Sequence, residues 1–266
     1  MYAEERRRQI ASLTAVEGRV NVTELALRFG VTAETIRRDL AALHDEGVVH
    51  RVHGGAVANQ SFRSAELPLD ARQRASSSAK TAIAEAALRL VPRAEHCTIF
   101  LDSGTTISSL GTRLAEIGGQ QAYSVVTNSI PTALELSGAG LREVQLLGGT
   151  VRPISQAVVG STALRTLALI QADVAFVGTN ALSVEHGLST ADAQEAAVKA
   201  AMVTNAQRVV VLCDSTKLGN DYVVSFASLS EIDVVVTDAG APPAFVEELR
   251  SHGVEVILAS AEPLRD

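Results

Sequence analysis

The sequence has no tryptophan, three tyrosines and six phenylalanines among 266 residues. Binding of single-stranded RNA leans on aromatic platforms, and only Tyr2 and Phe29 lie in the arginine-bearing N-terminal stretch, so that class is disfavoured. Two cysteines, Cys97 and Cys213, are too few for a disulfide framework or a four-cysteine zinc site, and inside apolar segments they read as small core residues. No run approaches the ~20 apolar residues of a membrane helix. The opening MYAEERRRQI places charges where a signal peptide needs an apolar core. Neither GxxxxGK[ST] nor a GxGxxG after a strand occurs, so a nucleotide is not the expected ligand, and no cofactor or metal is expected. These absences predict a reduced, soluble, cytoplasmic protein without membrane contact.

What is present is the balance of a folded protein: 47% hydrophobic residues, 20% charged, and length for one or two domains. The net charge of −7 is unevenly placed. Residues 1–55 hold eight arginines and eight acids; of the chain's 23 bases and 30 acids, that leaves 15 and 22 beyond residue 55. An acidic body repels nucleic acid, so any such contact is assigned to the N-terminal segment.

That segment, residues 1–58, opens with three helical patterns. The first spans about 4–16. Asn21 and Glu24 have capping-box spacing before a second helix, which Gly30 ends. Thr32 caps a third, whose Ile36, Leu40 and Leu43 share one face. Val48–Val57 reads as two strands turning at Gly54-Gly55. Helices joined through Phe29-Gly30-Val31 have helix-turn-helix spacing, and 100° per residue turns Thr35, Arg37 and Arg38 away from the apolar face. Arginine there suits guanine edges or phosphate oxygens. The turn at His53-Gly54-Gly55 would be a wing close to the duplex, with Arg51 beside it. A plain three-helix bundle with solvated arginines fits the same spacing. Arg6-Arg7-Arg8 reads as a solvated helix end or, second, a phosphate contact.

Residues 59–77, with Pro68 and part of a serine run, read as a linker. From 78 to 266 apolar strands alternate with amphipathic helices: strands at Cys97–Asp102, Tyr123–Thr127, Glu143–Leu147, Val174–Gly178, Val209–Asp214, Val234–Thr237 and Val254–Leu258. The fold class is α/β, with a parallel sheet covered by helices on both faces. Such sheets bind ligands beyond their strand C-terminal ends. There the chain has Asp102-Ser103-Gly104-Thr105-Thr106, Asn128-Ser129, Gly149 and Lys217. The hydroxyls and backbone N–H groups suit a phosphate, Lys217 supplies a cation, and Asp102 is assigned to a sugar hydroxyl. Each turn alone reads equally as helix capping; together they favour a small anionic ligand. Glu195 and Lys199, four apart on a predicted helix, fit a surface ion pair or a pocket role. His186 reads as a turn residue.

Two stretches carry a family resemblance. Arg6…Ile10, Leu25-Ala26…Phe29-Gly30-Val31-Thr32…Thr35-Ile36-Arg37-Arg38-Asp39-Leu40 and Arg51…His53-Gly54-Gly55-Ala56 closely resemble the DeoR family of transcription regulators. The likeness continues through Asp102–Thr106, Thr127-Asn128-Ser129, Gly148-Gly149-Thr150, His186–Thr190 and Asp214-Ser215-Thr216-Lys217. Thr14 departs from the family's usual aliphatic residue. The resemblance implies a winged helix-turn-helix that binds double-stranded operator DNA through Thr32, Thr35, Arg37, Arg38, Arg51, His53, Gly54 and Gly55. It implies a second domain, similar in fold to ribose-5-phosphate isomerase, that senses a phosphorylated sugar. Operators read by helix-turn-helix proteins usually reflect protein symmetry, so a homodimer or homotetramer held by the second domain is expected. The rival reading is a sugar-phosphate isomerase or deaminase with an accessory N-terminal domain. That chemistry needs a carboxylate base, and Gly178-Thr179-Asn180-Ala181-Leu182 offers none before Glu185.

Overall fold

Capping chemistry sets the first helices. Asn21 accepts the Thr23 N–H at the start of one, and Gly30, at φ +62°, closes it by bonding back to its last turn. The computed structural model describes residues 3–17, 19–45, 49–52, 54–58, 69–92, 97–117 and 123–260, so His53 and residues 59–68 lie outside the described residues. The chain divides into two units, Met1–Leu67 and Pro68–Asp266. No helix among the described residues is long and apolar enough to cross a membrane.

The first unit contains α1 (Ala3–Glu17), β1 (Arg19–Asn21), α2 (Val22–Phe29), α3 (Ala33–Asp45), β2 (Val49–Val52) and β3 (Gly55–Ala58). Its core joins Ile10, Leu25, Ile36, Leu40 and Leu43 with Val20, Val49 and Ala56. Thr14, the departure from the family pattern, is fully buried and donates its hydroxyl to the Ile10 carbonyl at 2.8 Å. The strands form an antiparallel sheet in the order β1-β3-β2. Three-residue β1 has too little sequence pattern to be expected.

The second unit continues with α4 (Leu69–Arg74), α5 (Ser77–Leu88), β4 (Thr98–Leu101), α6 (Thr105–Ile117), β5 (Ser124–Thr127), α7 (Ile130–Gly138) and β6 (Val144–Leu146). The hairpin β7 (Thr150–Arg152) and β8 (Ala157–Val159) leads to α8 (Ser161–Leu167) and β9 (Val174–Gly178). Then follow β10 (Ala181–Ser183), β11 (Gly187–Thr190), α9 (Ala193–Thr204), β12 (Val209–Leu212), β13 (Val224–Ala227), β14 (Val234–Asp238), α10 (Pro243–Ser251) and β15 (Glu255–Ala259). α4 occupies part of the stretch read as linker; its first N–H, on Leu69, bonds to the Ile154 carbonyl at 3.1 Å, a long-range contact that composition does not encode.

The seven expected strands form one parallel sheet in the order β15-β14-β12-β9-β4-β5-β6. Alternation along each strand divides the core into two faces. Val174, Phe176, Val210 and Leu212 join Ile83, Leu110 and Leu136 on one side. Ala175, Val177, Val209 and Val211 join Leu167, Val198, Met202 and Leu249 on the other. A small sheet in the order β10-β11-β13 stands apart from the parallel one.

Candidate functional site

In the first unit the position of α3 is held by a buried ion pair. Arg6 on α1 donates Nε to Asp39 Oδ2 at 2.6 Å and Nη2 to Oδ1 at 3.3 Å, and both side chains are buried. Arg6 is therefore neither a solvated helix end nor a phosphate contact. With α3 anchored, Arg37 and Arg38 point outward with side chains 57% and 81% exposed, near Glu34 at 3.4 and 3.7 Å. Exposed pairs of this kind are worth about 0–1 kcal/mol, so Glu34 holds the two guanidinium groups only weakly. Thr32 Oγ1 caps α3 by accepting the Thr35 N–H at 3.2 Å, and the two threonine hydroxyls meet at 2.9 Å. Arg51 on β2 and Gly54 at the turn are exposed. Gly55 is not: it is buried, and a Cβ there would lie 1.9 Å from the Val20 carbonyl oxygen. Its glycine admits the β1 backbone rather than a duplex, which corrects the wing assignment for that residue.

In the second unit the strand order reverses between β4 and β9: β5 and β6 extend one way, β12, β14 and β15 the other. In open α/β sheets ligands bind beyond the strand C-terminal ends at such a point. Asp102, just past β4, and Gly178, the last residue of β9, join the two strands, the Gly178 N–H donating to Asp102 Oδ2 at 3.0 Å. Lys199 from α9 donates to the same oxygen and, at 2.9 Å, to the Gly178 carbonyl; its ammonium also lies 5.6 Å from the Phe226 ring centroid. Burial pushes the Asp102 carboxyl up from its ordinary range, and the Lys199 charge pulls it partly back. Asp102 is fully buried. It braces the ends of β4 and β9 against each other, and the sugar-hydroxyl role expected of it is corrected accordingly.

Lys199 and Glu195 are both buried, so they are not a surface pair. Glu195 instead binds Arg152 of β7 and the Ser155 hydroxyl, and Arg152 also reaches Asp192 at 3.3 Å. Just past β4 and β5, Ser103 and Asn128 are buried and meet at 3.4 Å, and Asn128 Nδ2 also donates to the Val158 carbonyl at 3.3 Å. That carbonyl fixes the amide orientation and leaves Asn128 Oδ1 buried with no partner among the described residues. A ligand hydroxyl is the donor it suits. Gly104, at φ +153°, has open space where a Cβ would be, and Thr105 and Thr106 begin α6 beside it.

Two other expected contacts have structural duties. Ser129 is buried and caps α7, accepting the Thr132 N–H at 3.3 Å. Gly149 is exposed, yet a Cβ there would lie 2.4 Å from the Val159 carbonyl oxygen, so hairpin closure explains it. Lys217, half-buried, ends a 3-10 turn that Asp214 caps after β12. Two strand spacings separate β12 from β4, about 10 Å, the scale of a small phosphorylated metabolite. His186 is an exposed turn residue.

Residues 6–62 match the DeoR-like helix-turn-helix domain, and residues 75–239 match the DeoR C terminal sensor domain. The chain belongs to the DeoR family. HTH-type transcriptional regulator GlpR of Haloferax volcanii is 38% identical over 97% of this chain and 98% of its own length. A putative aga operon transcriptional repressor of Escherichia coli O157:H7 is 32% identical, covering 96% of this chain and 93% of that one. The glycerol-3-phosphate regulon repressor of Escherichia coli K12 is 28% identical over 97% and 100%. Ribose 5-phosphate isomerase A from Neisseria gonorrhoeae overlays 53% of each chain at 16% identity with a TM-score of 0.37, too slight a likeness to carry its activity here.

Within this DeoR-family sensor, sequence reasoning missed Arg152, Ser155 and Lys80. Lys80, in the first turn of α5, is buried and donates Nζ to the Arg72 and Ala75 carbonyl oxygens. A lysine in an alanine-rich helix resembles any solvated one; only the packed neighbours distinguish it.

Proposed function

We propose that this chain represses a carbohydrate operon by binding double-stranded operator DNA through α3 and the wing, and that a phosphorylated sugar at the β4–β9 strand ends changes that affinity. The outward placement of Arg37 and Arg38 on a helix braced by Arg6–Asp39 carries the reading. Thr32, Thr35, Arg51 and Gly54 complete the DNA face, and the named roles of the glycerol-3-phosphate and aga repressors support the effector class. At these ends, Asn128 and the Ser103–Thr106 turn take the sugar and Lys217 the phosphate. Ligand alters DNA affinity only by binding two arrangements of the protein unequally. Operators read by helix-turn-helix proteins mirror protein symmetry, so the working form is a homodimer or homotetramer joined through the second unit.

We read the protein as a sensor without turnover. The carboxylates at the strand ends are engaged, Asp102 with Lys199, Asp214 with Thr216 and Asp238 with Ser215, and so is Glu195 of α9, with Arg152. A base that moves protons between carbons must instead face substrate. Titrating the DNA upstream of its own gene, with a panel of phosphorylated sugars, tests the proposal. Arg38→Ala is expected to weaken DNA binding, to lower the log–log salt slope by about 0.9, and to leave ligand binding intact. Lys217→Ala is expected to keep DNA binding and lose the ligand response. Joint loss of both activities in either variant, or measurable phosphosugar turnover, overturns it.

A further inference from the structure

The parallel sheet ends in two strands of opposite character. β15 is blunted. Its pairing with β14 turns the backbone groups of Val256 outward, and Arg250 of α10 donates to the Val256 carbonyl oxygen at 3.4 Å. Glu255, which begins the strand, pairs with Arg208 at 3.3 Å. Charged side chains of this kind keep an edge from pairing with another strand. β6 has no such cover. The Val125 N–H donates to the Glu143 carbonyl and the Leu147 N–H to the Thr127 carbonyl, both at 2.9 Å, so alternation turns the N–H and C=O groups of Val144 and Leu146 away from β5. Among the described residues nothing bonds to those outward groups. A fifth of the chain is charged, yet no residue from Val144 to Val151 is, and Gln145, Leu146 and Val151 are exposed. Leu134, 71% exposed, adds apolar surface on α7, the helix packed against β6.

We propose that β6 is a two-fold interface between copies of this chain: two β6 strands pair antiparallel about Gln145 and join their parallel sheets into one, with α7 beside the seam. This rests on the reading of the working form as a symmetric oligomer joined through the second unit, and it names the surface. An uncharged edge suits a second copy, because at a two-fold axis each residue meets its own copy and any charge there repels itself. The strand is also self-complementary. With the axis at Gln145, Val144 of one copy lies opposite Leu146 of the other. These are the residues whose backbone groups point outward, so each exchanges N–H···O bonds with its opposite, and each apolar side chain faces an apolar one. The two Gln145 side chains meet at the axis, where their amides can bond to each other. A strand of three residues is small beside the ~800 Å² that each partner of a stable interface buries, so Leu134 of α7 extends the buried patch.

The test is sedimentation of the full-length protein over a range of concentrations. Wild type is expected to be a dimer or tetramer. Gln145→Lys and Gln145→Glu each set like charges across the axis. Each is expected to sediment at half the wild-type mass, with a dissociation constant raised about a hundredfold. Gln145 is exposed, so neither change reaches the core. Mixing the two variants in equal amounts is expected to restore the assembly, because opposite charges then meet. Leu258→Lys, at the exposed β15 edge, is expected to leave the assembly unchanged. The Val144 and Leu146 amides are expected to be protected from hydrogen exchange in wild type and to exchange freely in either Gln145 variant alone. A wild-type monomer at every concentration overturns both the symmetric reading and the β6 assignment. Unaltered assembly in the Gln145 variants, no recovery on mixing, or dissociation by Leu258→Lys overturns the β6 assignment and leaves the symmetric reading standing. Should a Gln145 variant fail to fold, the assembled wild type decides: free exchange at Val144 and Leu146 overturns the pairing.

Discussion

Arg6–Asp39 in the first unit and Asp102–Lys199 in the second are both buried ion pairs, yet their surroundings give them different work. The first joins two helices across a core of nine buried apolar residues among those described. Its two parallel N–H···O contacts determine how α3 presents its arginines. The second lies between two much larger apolar clusters, which set the strand positions without it. There one ammonium ties the ends of two strands where the sheet changes direction. A small core depends on its polar pair for geometry; a large one can place a charged pair at the ends of its strands, where the ligand site is proposed.

Asp39→Ala should break the contrast most severely. It strands a buried guanidinium, at a cost of about 3–5 kcal/mol, which is most of what so small a unit has. Helical signal and α3 amide protection should be lost while the second unit keeps its melting transition; a cost below about 1 kcal/mol would show that apolar packing alone holds α3.

Lys199→Met also strands a charge, but the larger unit should stay folded. Without Lys199 the Asp102 carboxyl is pushed higher still, above its unfolded value of about 3.9. The folded state then binds protons more readily than the unfolded one, so the variant's stability rises as pH falls through the folded value. Urea denaturation at neutral and mildly acidic pH reads this directly. Adding Asp102→Asn should recover much of the loss; no recovery would mean that the pair is not an independent ionic unit.

A smaller effect is expected from Gly104→Ala. The space is open but the backbone is left-handed, so about 1–2 kcal/mol of strain should appear in thermal melts, with weakened ligand binding. Smallest is Thr14→Val. The Thr14 hydroxyl bonds only within its own helix, so restoring an aliphatic residue should shift stability by less than about 1 kcal/mol.

The seven parallel strands could be read in advance because Val174–Gly178 and its counterparts are continuous apolar runs bounded by turn residues. The helix-turn-helix could be read because Asn21, Gly30 and Thr32 punctuate it. The small sheet of β10, β11 and β13 escaped because three- and four-residue strands carry too little period, and one partner comes from beyond α9. The site was partly readable. Ser103, Gly104 and Asn128 stand at strand ends as their residue types suggested, whereas Gly55, Gly149 and Ser129 share those types and serve the backbone.

Periodicity and capping residues were sufficient for the longer helices and the seven strands of the parallel sheet, since each depends on side chains within one or two turns of one another. Pairing was not contained in that pattern. Arg6 finds Asp39 across 33 positions, and Asp102 finds Lys199 across 97. Which charges become buried supports and which stay free for DNA or a ligand depends on the surface that packing removes from water, and that surface exists only once the chain has closed on itself.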